Sequence, residues 1–360
     1  MTNKRIEILD SFRAIAILMV ICFHFFSRWS NLYPYEKSYD FFRYGKFGVH
    51  FFFMISGFVI FFTLERTSTF KRFWINRYIR LLPSMFFASI LTYLFFNAFD
   101  TSFLFPTSHY FNNVLVSLTF IQPDLISSLT RYRFELDYIS GSYWSLWVEI
   151  QFYFLAAIVY YISPKRFYAC FFLITVTLVG ANFLLSHYYS SSLLIVKLKS
   201  LRSIFNLISA LPFFCLGALF YIFYKNNINE IRNSLMLQIC FVFFVGFLCF
   251  NNSQDLKLIC LIFFFILLFF IMIYNEQSII FLNNKFLNTI GVSSYFLYLI
   301  HENIGVFLIN KNILALKSLF FFQPLIIIVF LIVISILFTT YIEGNIIKFL
   351  KNLLKKVSIK

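Results

Sequence analysis

The chain has 360 residues, of which 61% are hydrophobic and only 12% are charged, and its formal net charge is +15. A mean hydropathy of +0.82 over this length excludes a soluble globular protein and indicates a polytopic membrane protein. The positive charge alone is compatible with nucleic acid as a partner, but most basic residues lie in short loops between hydrophobic runs, where the positive-inside rule places them. We therefore expect this chain to lie in a lipid bilayer and not to bind nucleic acid.

Apolar runs long enough to cross a bilayer occur ten times, which predicts an all-α bundle of about ten transmembrane helices. A shorter run, 110–122, ends at Pro123 and predicts a re-entrant or interfacial segment. We expect one membrane domain over residues 1–345 and a basic cytoplasmic tail over 346–360. The predicted spans are residues 8–27, 45–63, 76–97, 143–162, 167–188, 203–224, 234–250, 256–274, 287–310 and 319–343.

Basic residues set the predicted orientation. With the N-terminus inside, the inner segments hold more Lys and Arg than the outer ones, and both termini lie in the cytoplasm. The longest loop, 98–142, is then outside, and the basic tail follows the anionic inner leaflet. The first apolar run is interrupted by Asp10 and Arg13 and lacks a small-residue cleavage site. It is therefore predicted to be an uncleaved first span.

The six cysteines all fall in or at the edge of apolar runs, and none forms a CxxC pair. This pattern is typical of small buried hydrophobic residues and not of a disulfide framework, and no metal site is predicted. The six are Cys22, Cys170, Cys215, Cys240, Cys249 and Cys260.

The first span carries two ionisable side chains, Arg13 and His24, separated by ten mostly apolar residues. Eleven steps of about 100° return His24 to within roughly 20° of Arg13 on the helix face, about 16 Å further along the axis. Ionisable groups inside a membrane are costly and are candidates for function. A lone membrane histidine is more often a hydrogen-bonding group, but an imidazole can also transfer protons or act as a nucleophile near neutral pH. We therefore single out His24 as the candidate catalyst.

The third span begins with a basic cluster of Lys71, Arg72, Arg77 and Arg80. A positive-inside flank explains Lys71 and Arg72, whereas Arg80 already lies inside the span. Arg77 and Arg80 share a helix face because they are three residues apart, and two arginines on one face can clamp a phosphate. Pro83 can kink or open the helix just beyond them. The arginine pair is interpreted either as a phosphate clamp or as a snorkelling flank.

A carboxylate occurs near the outer start of the fourth span, in the segment SYWSLWVEIQFYF. Glu149 lies about 9 Å below the outer end at 1.5 Å per residue, which matches the depth expected for His24. A carboxylate at that depth can orient an imidazole or hold its proton. Trp144 and Trp147 fit an interfacial aromatic belt, and Trp144 is also a weak candidate for lining a substrate cavity.

The ninth span carries Ser294, Tyr298 and His301 at the spacing i, i+4, i+7, which places them on one helix face. They are interpreted either as the polar lining of a substrate cavity or as hydrogen-bonding groups between helices. Glu302 and Glu343 are expected to be structural or to lie at helix ends.

The second span, GKFGVHFFFMISGF, is rich in glycine. Gly45, Gly48 and Gly57 indicate close packing between helices. His50 and Ser56 in the same span are weaker candidates for a site.

Taken together, these segments resemble the acyltransferase-3 family of integral-membrane acyltransferases, which modify surface sugars. The resemblance runs from end to end of the chain in the family's order. Its most specific part combines the arginine-ten-residues-histidine spacing with the arginine-two-residues-arginine motif. The segments that carry it are RIEILDSFRAIAILMVICFHF, GKFGVHFFFMISGFVI, FWINRYIRLLPSMFF, SYWSLWVEIQFYF, LPFFCLGALF and GVSSYFLYLIH.

The resemblance implies roles for individual residues. His24 looks like the catalytic histidine, with Arg13 as its partner in the motif. Arg77 and Arg80 look like contacts to acyl-CoA, and Glu149 looks like the family's membrane glutamate.

Two departures from the family's pattern qualify this likeness. His50 stands where the family often has an acidic residue, which puts a role for that position in doubt. Many relatives carry a soluble esterase-like domain at the C-terminus, whereas this chain ends at Lys360. The membrane domain is therefore expected to pass the acyl group on alone or to a separate partner.

The expected activity is O-acyl transfer to an extracytoplasmic or lipid-linked sugar of a surface polysaccharide. Acyl-CoA, with acetyl-CoA the favoured donor, would meet Arg77, Arg80 and Arg13 from the cytoplasm and bring its thioester to His24. The histidine would either take the proton of a sugar hydroxyl or carry the acyl group. A proton-coupled transporter or flippase is the alternative, since ten spans with buried ionisable groups can also form a carrier.

Overall fold

The computed structural model describes residues 6–29, 31–32, 40–130, 136–187, 206–312 and 322–357. All regular structure in these ranges is helical, which confirms the predicted all-α class. Their thirteen α-helices are α1 (Ile8–Phe23), α2 (Gly48–Leu64), α3 (Phe70–Phe99), α4 (Phe111–Thr119), α5 (Pro123–Leu129), α6 (Trp144–Ile162), α7 (Phe167–His187), α8 (Leu207–Ile228), α9 (Leu235–Asn251), α10 (Leu256–Tyr274), α11 (Lys285–Asn312), α12 (Phe322–Leu337) and α13 (Gly344–Val357).

Within the described part of the chain, nine helical stretches are long and apolar enough to cross a membrane by length and composition. They confirm a multi-pass membrane protein. The stretches are Ile8–Arg28, Phe41–Leu64, Phe70–Phe99, Gly141–Ile162, Pro164–Leu185, Leu207–Ile228, Leu256–Tyr274, Lys285–Lys311 and Phe322–Leu354.

The remaining predicted span, 234–250, corresponds to α9, which has 17 residues. At 1.5 Å per residue α9 is about 26 Å long, slightly less than the roughly 30 Å of a hydrocarbon core. Both termini lie on one side of the membrane only if the number of crossings is even, so the predicted topology requires α9 to cross. The short run predicted at 110–122 forms α4, whose nine residues are too few to span.

The chain folds as two compact units. The first consists of Met1–Val49, Ile75–Trp147 and Leu282–Lys360, and in it α1 packs along α11, which packs in turn against α12. A Cβ atom added to Gly291 of α11 would lie 1.7 Å from the backbone oxygen of Asp10, so a glycine is required where α1 and α11 meet. The predicted packing role is likewise confirmed at Gly48, where a Cβ atom would lie 2.4 Å from the backbone oxygen of Ala16.

The second unit consists of His50–Trp74 and Val148–Phe281 and is built around α8, against which α7, α9 and α10 pack. An ion pair ties α8 to the segment after α2: Lys225 Nζ donates to both carboxylate oxygens of Glu65, at 2.8 and 2.9 Å. The hydroxyl groups of Tyr221 and Tyr168 donate to the same carboxylate. Burial raises the pKa of Glu65, but the hydrogen bonds from Lys225 and the two tyrosines lower it by more, so the pKa lies below its usual value.

Residues 346–357 of the predicted basic tail lie in α13, which follows α12 through a π-helical turn, Phe338–Glu343, and residues 358–360 of the tail lie outside the described residues. Ile346, Leu350 and Leu353 recur on one face of α13, while Lys348 and Lys351 lie on the other. This amphipathic pattern is typical of a helix that lies along a membrane surface.

Candidate active site

The candidate site lies in the first unit, where α1 ends. At His24 the α-helix changes to a π-helical turn, His24–Arg28, without a break in the helix. Such turns are rare in proteins, and many of those that occur lie at functional sites. The candidate catalyst therefore sits at a local change in helix geometry.

His24 lies beside Glu302, a carboxylate of α11. The distance from His24 Nδ1 to Glu302 Oε1 is 3.3 Å, and only 11% and 6% of the two side chains are exposed. Because water screens a buried pair weakly, a positive charge that forms on His24 is attracted to Glu302 more strongly than it would be on a surface. A carboxylate in this position orients the imidazole ring and stabilises the imidazolium that forms when His24 takes a proton.

His301 joins this pair to form a buried cluster. The ring centroids of His24 and His301 lie 4.9 Å apart in an edge-to-face arrangement. His301 Nδ1 is 2.7 Å from the backbone oxygen of Tyr298, and since a carbonyl oxygen only accepts, Nδ1 carries the proton and Nε2 presents a lone pair. Among the described residues, neither His301 Nε2 nor Glu302 Oε2 has a hydrogen-bond partner, although both atoms are buried. Buried polar atoms are normally paired, so these two atoms are available to a bound substrate.

Tyr298 and Ser294, predicted to share a face with His301, make structural hydrogen bonds. The Tyr298 hydroxyl lies 2.7 Å from the backbone oxygen of Ser142 and 2.7 Å from Ser145 Oγ, so it links α11 to the start of α6. Ser294 Oγ donates to the backbone oxygen of Gly291, 2.7 Å away and within its own helix. Of the three predicted residues, His301 is the one whose ring contacts His24.

Arg13 is paired near the opposite end of α1. Its Nη1 atom donates to Asp10 Oδ1 at 2.9 Å, and Asp10 is almost fully buried. Asp10 therefore holds the Arg13 guanidinium about eleven residues before His24 on the helix. A role for Arg13 in catalysis or donor binding stays a prediction.

Glu149 lies in the second unit, where it accepts hydrogen bonds from the hydroxyl groups of Ser56, at 2.6 Å, and Tyr153. His50, the other weak candidate of the second span, has its ring centroid 4.5 Å from that of Phe213. The carboxylate that the structure places against His24 is Glu302, and the role predicted for Glu149 stays a prediction.

The arginine pair lies on α3, which continues through Pro83 as one helix of 30 residues. Arg77 is half-buried and Arg80 is exposed. Trp144, the weak cavity candidate, is the first residue of α6 and is exposed.

The predictions from sequence assign no pairing role to Asp10 and expect Glu302 to be structural or to lie at a helix end. The structure instead pairs Asp10 with Arg13 and places Glu302 against His24. Asp10 precedes Arg13 by three residues, and that spacing alone predicts a pair on one helix face. Glu302 directly follows His301 inside a span, where an ionisable group is a functional candidate by default. The sequence could not reveal that Glu302 packs against His24, because that contact depends on how α1 and α11 meet.

The segment that follows α3 is organised by a buried carboxylate, Asp100. It accepts hydrogen bonds from Ser102 and from the backbone of Phe105, and it lies 3.2 Å from His109 Nε2. Burial raises the pKa of Asp100, but these hydrogen bonds lower it by more, so its pKa lies below the usual value. The ionised form of Asp100 therefore stabilises this segment.

Comparison with known proteins bears on the activity of this site. The family model of the acyltransferase-3 family, described as an acyltransferase domain, matches residues 6–344. No curated protein and no solved structure gives a significant match. Because the family model covers nearly the whole chain, including His24 and Glu302, this membrane protein belongs to the acyltransferase-3 family of membrane acyltransferases.

Proposed function

We propose that this membrane acyltransferase moves an acyl group from cytoplasmic acyl-CoA to a hydroxyl group of a sugar on the outer side of a bacterial inner membrane. Acetyl is the first candidate for the acyl group, and an extracytoplasmic or lipid-linked sugar of a surface polysaccharide is the first candidate for the acceptor. The observation that carries the proposal is the contact of 3.3 Å between His24 Nδ1 and Glu302 Oε1 in a buried cluster. An imidazole paired with a carboxylate is a common device for proton transfer in acyl-transfer enzymes.

In the direct route, the Glu302 carboxylate lies against Nδ1 of His24, 3.3 Å away, and Nε2 is the base. The sugar hydroxyl oxygen attacks the thioester carbonyl carbon while His24 Nε2 takes the hydroxyl proton. The carbon–sulfur bond then breaks, and the imidazolium gives its proton to the departing CoA sulfur. Between the two transfers, the Glu302 carboxylate stabilises the positive charge on His24.

A covalent route uses the same pair of residues. Here His24 Nε2 attacks the thioester carbonyl carbon, the carbon–sulfur bond breaks and CoA leaves as a thiolate. The sugar oxygen then takes the acyl group from the histidine while the hydroxyl proton passes to the freed Nε2 and on to water. Release of one equivalent of CoA per protein in the absence of a sugar would favour this route. Steady CoA release only when the sugar is present would favour the direct one.

The donor would bind through the basic groups of the first unit. Arg80 is exposed and Arg77 is half-buried, which suits phosphate groups that arrive from water. Their spacing of three residues on α3 presents two guanidinium groups along one side of the helix. Arg13, held by Asp10 at 2.9 Å, is a third candidate contact.

The test of this proposal is acyl transfer by the purified protein in proteoliposomes. Acetyl-CoA labelled in its acetyl group is supplied on one side, and surface polysaccharide of the source cells, stripped of its esters with mild alkali, on the other. We expect alkali-labile label on the polysaccharide with the wild-type protein and none with His24→Ala. Movement of a glycan across the bilayer without any acylation would instead favour the transporter alternative.

A further inference from the structure

Gly141 lies next to the Glu302 carboxylate. It opens the short helical turn Gly141–Tyr143 that leads into α6, and it is exposed. A Cβ atom added to Gly141 would lie 3.4 Å from Glu302 Oε2 and 3.6 Å from Oε1. Its third nearest neighbour would be the carboxyl carbon of the same residue, at 3.8 Å. The missing side chain of Gly141 therefore points at Glu302.

The backbone does not require a glycine at this position. Among the described residues no glycine has a positive φ, so an L-residue can adopt the conformation of Gly141. A Cβ atom at 3.4 Å makes ordinary van der Waals contact, so alanine fits without displacing Glu302. A larger side chain would occupy the space above the carboxylate.

The segment around Gly141 is fixed to the helix that carries Glu302. Ser140 Oγ donates to Asn303 Oδ1 at 3.2 Å, and Asn303 Nδ2 donates to the backbone oxygen of Ile139 at 3.2 Å. On the other side of Gly141, the Tyr298 hydroxyl donates to the backbone oxygen of Ser142 at 2.7 Å. Because the residues before and after Gly141 are both hydrogen-bonded to α11, Gly141 is held at a fixed distance from Glu302.

We propose that Gly141 is a specificity-determining residue. Because Gly141 has no side chain, the sugar acceptor can pass over it and reach Glu302 and His24. Glu302 is only 5% exposed, and its Oε2 atom has no hydrogen-bond partner among the described residues. An ionised carboxylate oxygen accepts hydrogen bonds, and a hydroxyl group passing over Gly141 supplies the donor it lacks. The hydroxyl groups of the bound sugar then lie close to both Glu302 and His24. This inference rests on the proposed function.

The test is a series of substitutions of increasing size, Gly141→Ala, Gly141→Val and Gly141→Leu, in the proteoliposome assay with de-esterified polysaccharide as the acceptor. We expect the KM for the polysaccharide to change within about twofold for Gly141→Ala, as for a substitution that touches little. It should rise about tenfold or more for Gly141→Leu, the range that a few carbon atoms contribute in a binding pocket. The KM for acetyl-CoA should stay unchanged throughout.

Two controls separate acceptor access from damage to the site. Gly180→Leu adds the same side chain at a glycine whose Cβ atom would meet nothing within 4 Å, and it should transfer like the wild type. The kcat at saturating polysaccharide reports on His24 and Glu302 and should remain constant across the series.

Three results of this series decide the inference: two would overturn it and one would support it. A Gly141→Leu protein with a normal KM for the polysaccharide overturns it, and so does a fall in kcat at saturating polysaccharide that accounts for the loss of transfer. A rise in the KM for the polysaccharide with a constant kcat supports it. A wild-type protein that transfers no acetyl group refutes the proposed function itself, which is a different outcome.

Discussion

Replacing Glu302 by glutamine tests the pair that carries the proposed chemistry. The substitution keeps the shape of the side chain and removes its charge. With 3.3 Å between Nδ1 and Oε1, two unit charges attract by about 5 kcal/mol at an effective dielectric constant of about 20. Since each 1.36 kcal/mol corresponds to a factor of ten in rate, we expect kcat to fall by about three to four orders of magnitude.

The assay is the initial rate of acetyl transfer in proteoliposomes, with binding of labelled acetyl-CoA measured separately. Binding should be unchanged, because the proposed phosphate contacts do not include Glu302. Glu343→Gln is the matched control: Ser84 Oγ donates to Glu343 Oε1 at 2.6 Å, and a glutamine oxygen accepts the same bond. The control should transfer within about twofold of the wild type. A folded Glu302→Gln protein that keeps a tenth or more of the wild-type rate would refute the reasoning.

Three further predictions concern topology, donor binding and pH. A cysteine placed in the 98–142 loop should react with an impermeant thiol reagent from outside and one placed in the 344–360 tail should not; the reverse pattern would overturn the orientation. Arg77→Ala or Arg80→Ala should weaken acetyl-CoA binding about ten- to a hundred-fold, which corresponds to the loss of one charge-assisted hydrogen bond. Replacing either arginine with lysine instead should preserve part of the affinity. Normal binding by both alanine variants would mean that the two arginines are only a positive-inside flank. Because the pKa of Asp100 is lower in the folded protein, its stabilising effect is complete above the unfolded pKa of about 3.9 and is lost as the pH falls through the folded value. Hydrogen-exchange protection of residues 100–109, corrected for intrinsic rates, should fall in that acidic window for the wild type, and an equal fall in Asp100→Asn would contradict the assignment.

The helical class and most spans follow from hydropathy, because only helices or closed barrels satisfy backbone hydrogen bonds in a bilayer. The packing role of Gly48 was also predictable, since small residues mark close helix contacts. The 17-residue α9 shows the limit of this approach: its composition is apolar enough, but its length falls just short of a full span.

The site is harder to predict than the fold. His24 stands out in the sequence because a titratable group inside an apolar run is costly. Its carboxylate partner does not, because helical periodicity reports which residues share a face and not which two helices meet. Glu302 reaches His24 only because α11 crosses α1 closely at Gly291 and continues along it. The same limit hid the approach of Gly141 to Glu302, which joins residues 161 positions apart.

The most direct test of the account is the mass spectrum of the surface glycan from cells that express either the wild-type protein or His24→Gln. Glutamine keeps a similar shape and can form hydrogen bonds, but it cannot exchange a proton near pH 7. We expect ester-linked acyl groups on the glycan with the wild type and their loss with His24→Gln, even though the variant inserts into the membrane and binds acetyl-CoA. A glycan acylated to the wild-type level by a well-expressed His24→Gln protein would contradict the assignment of His24 as the catalytic residue.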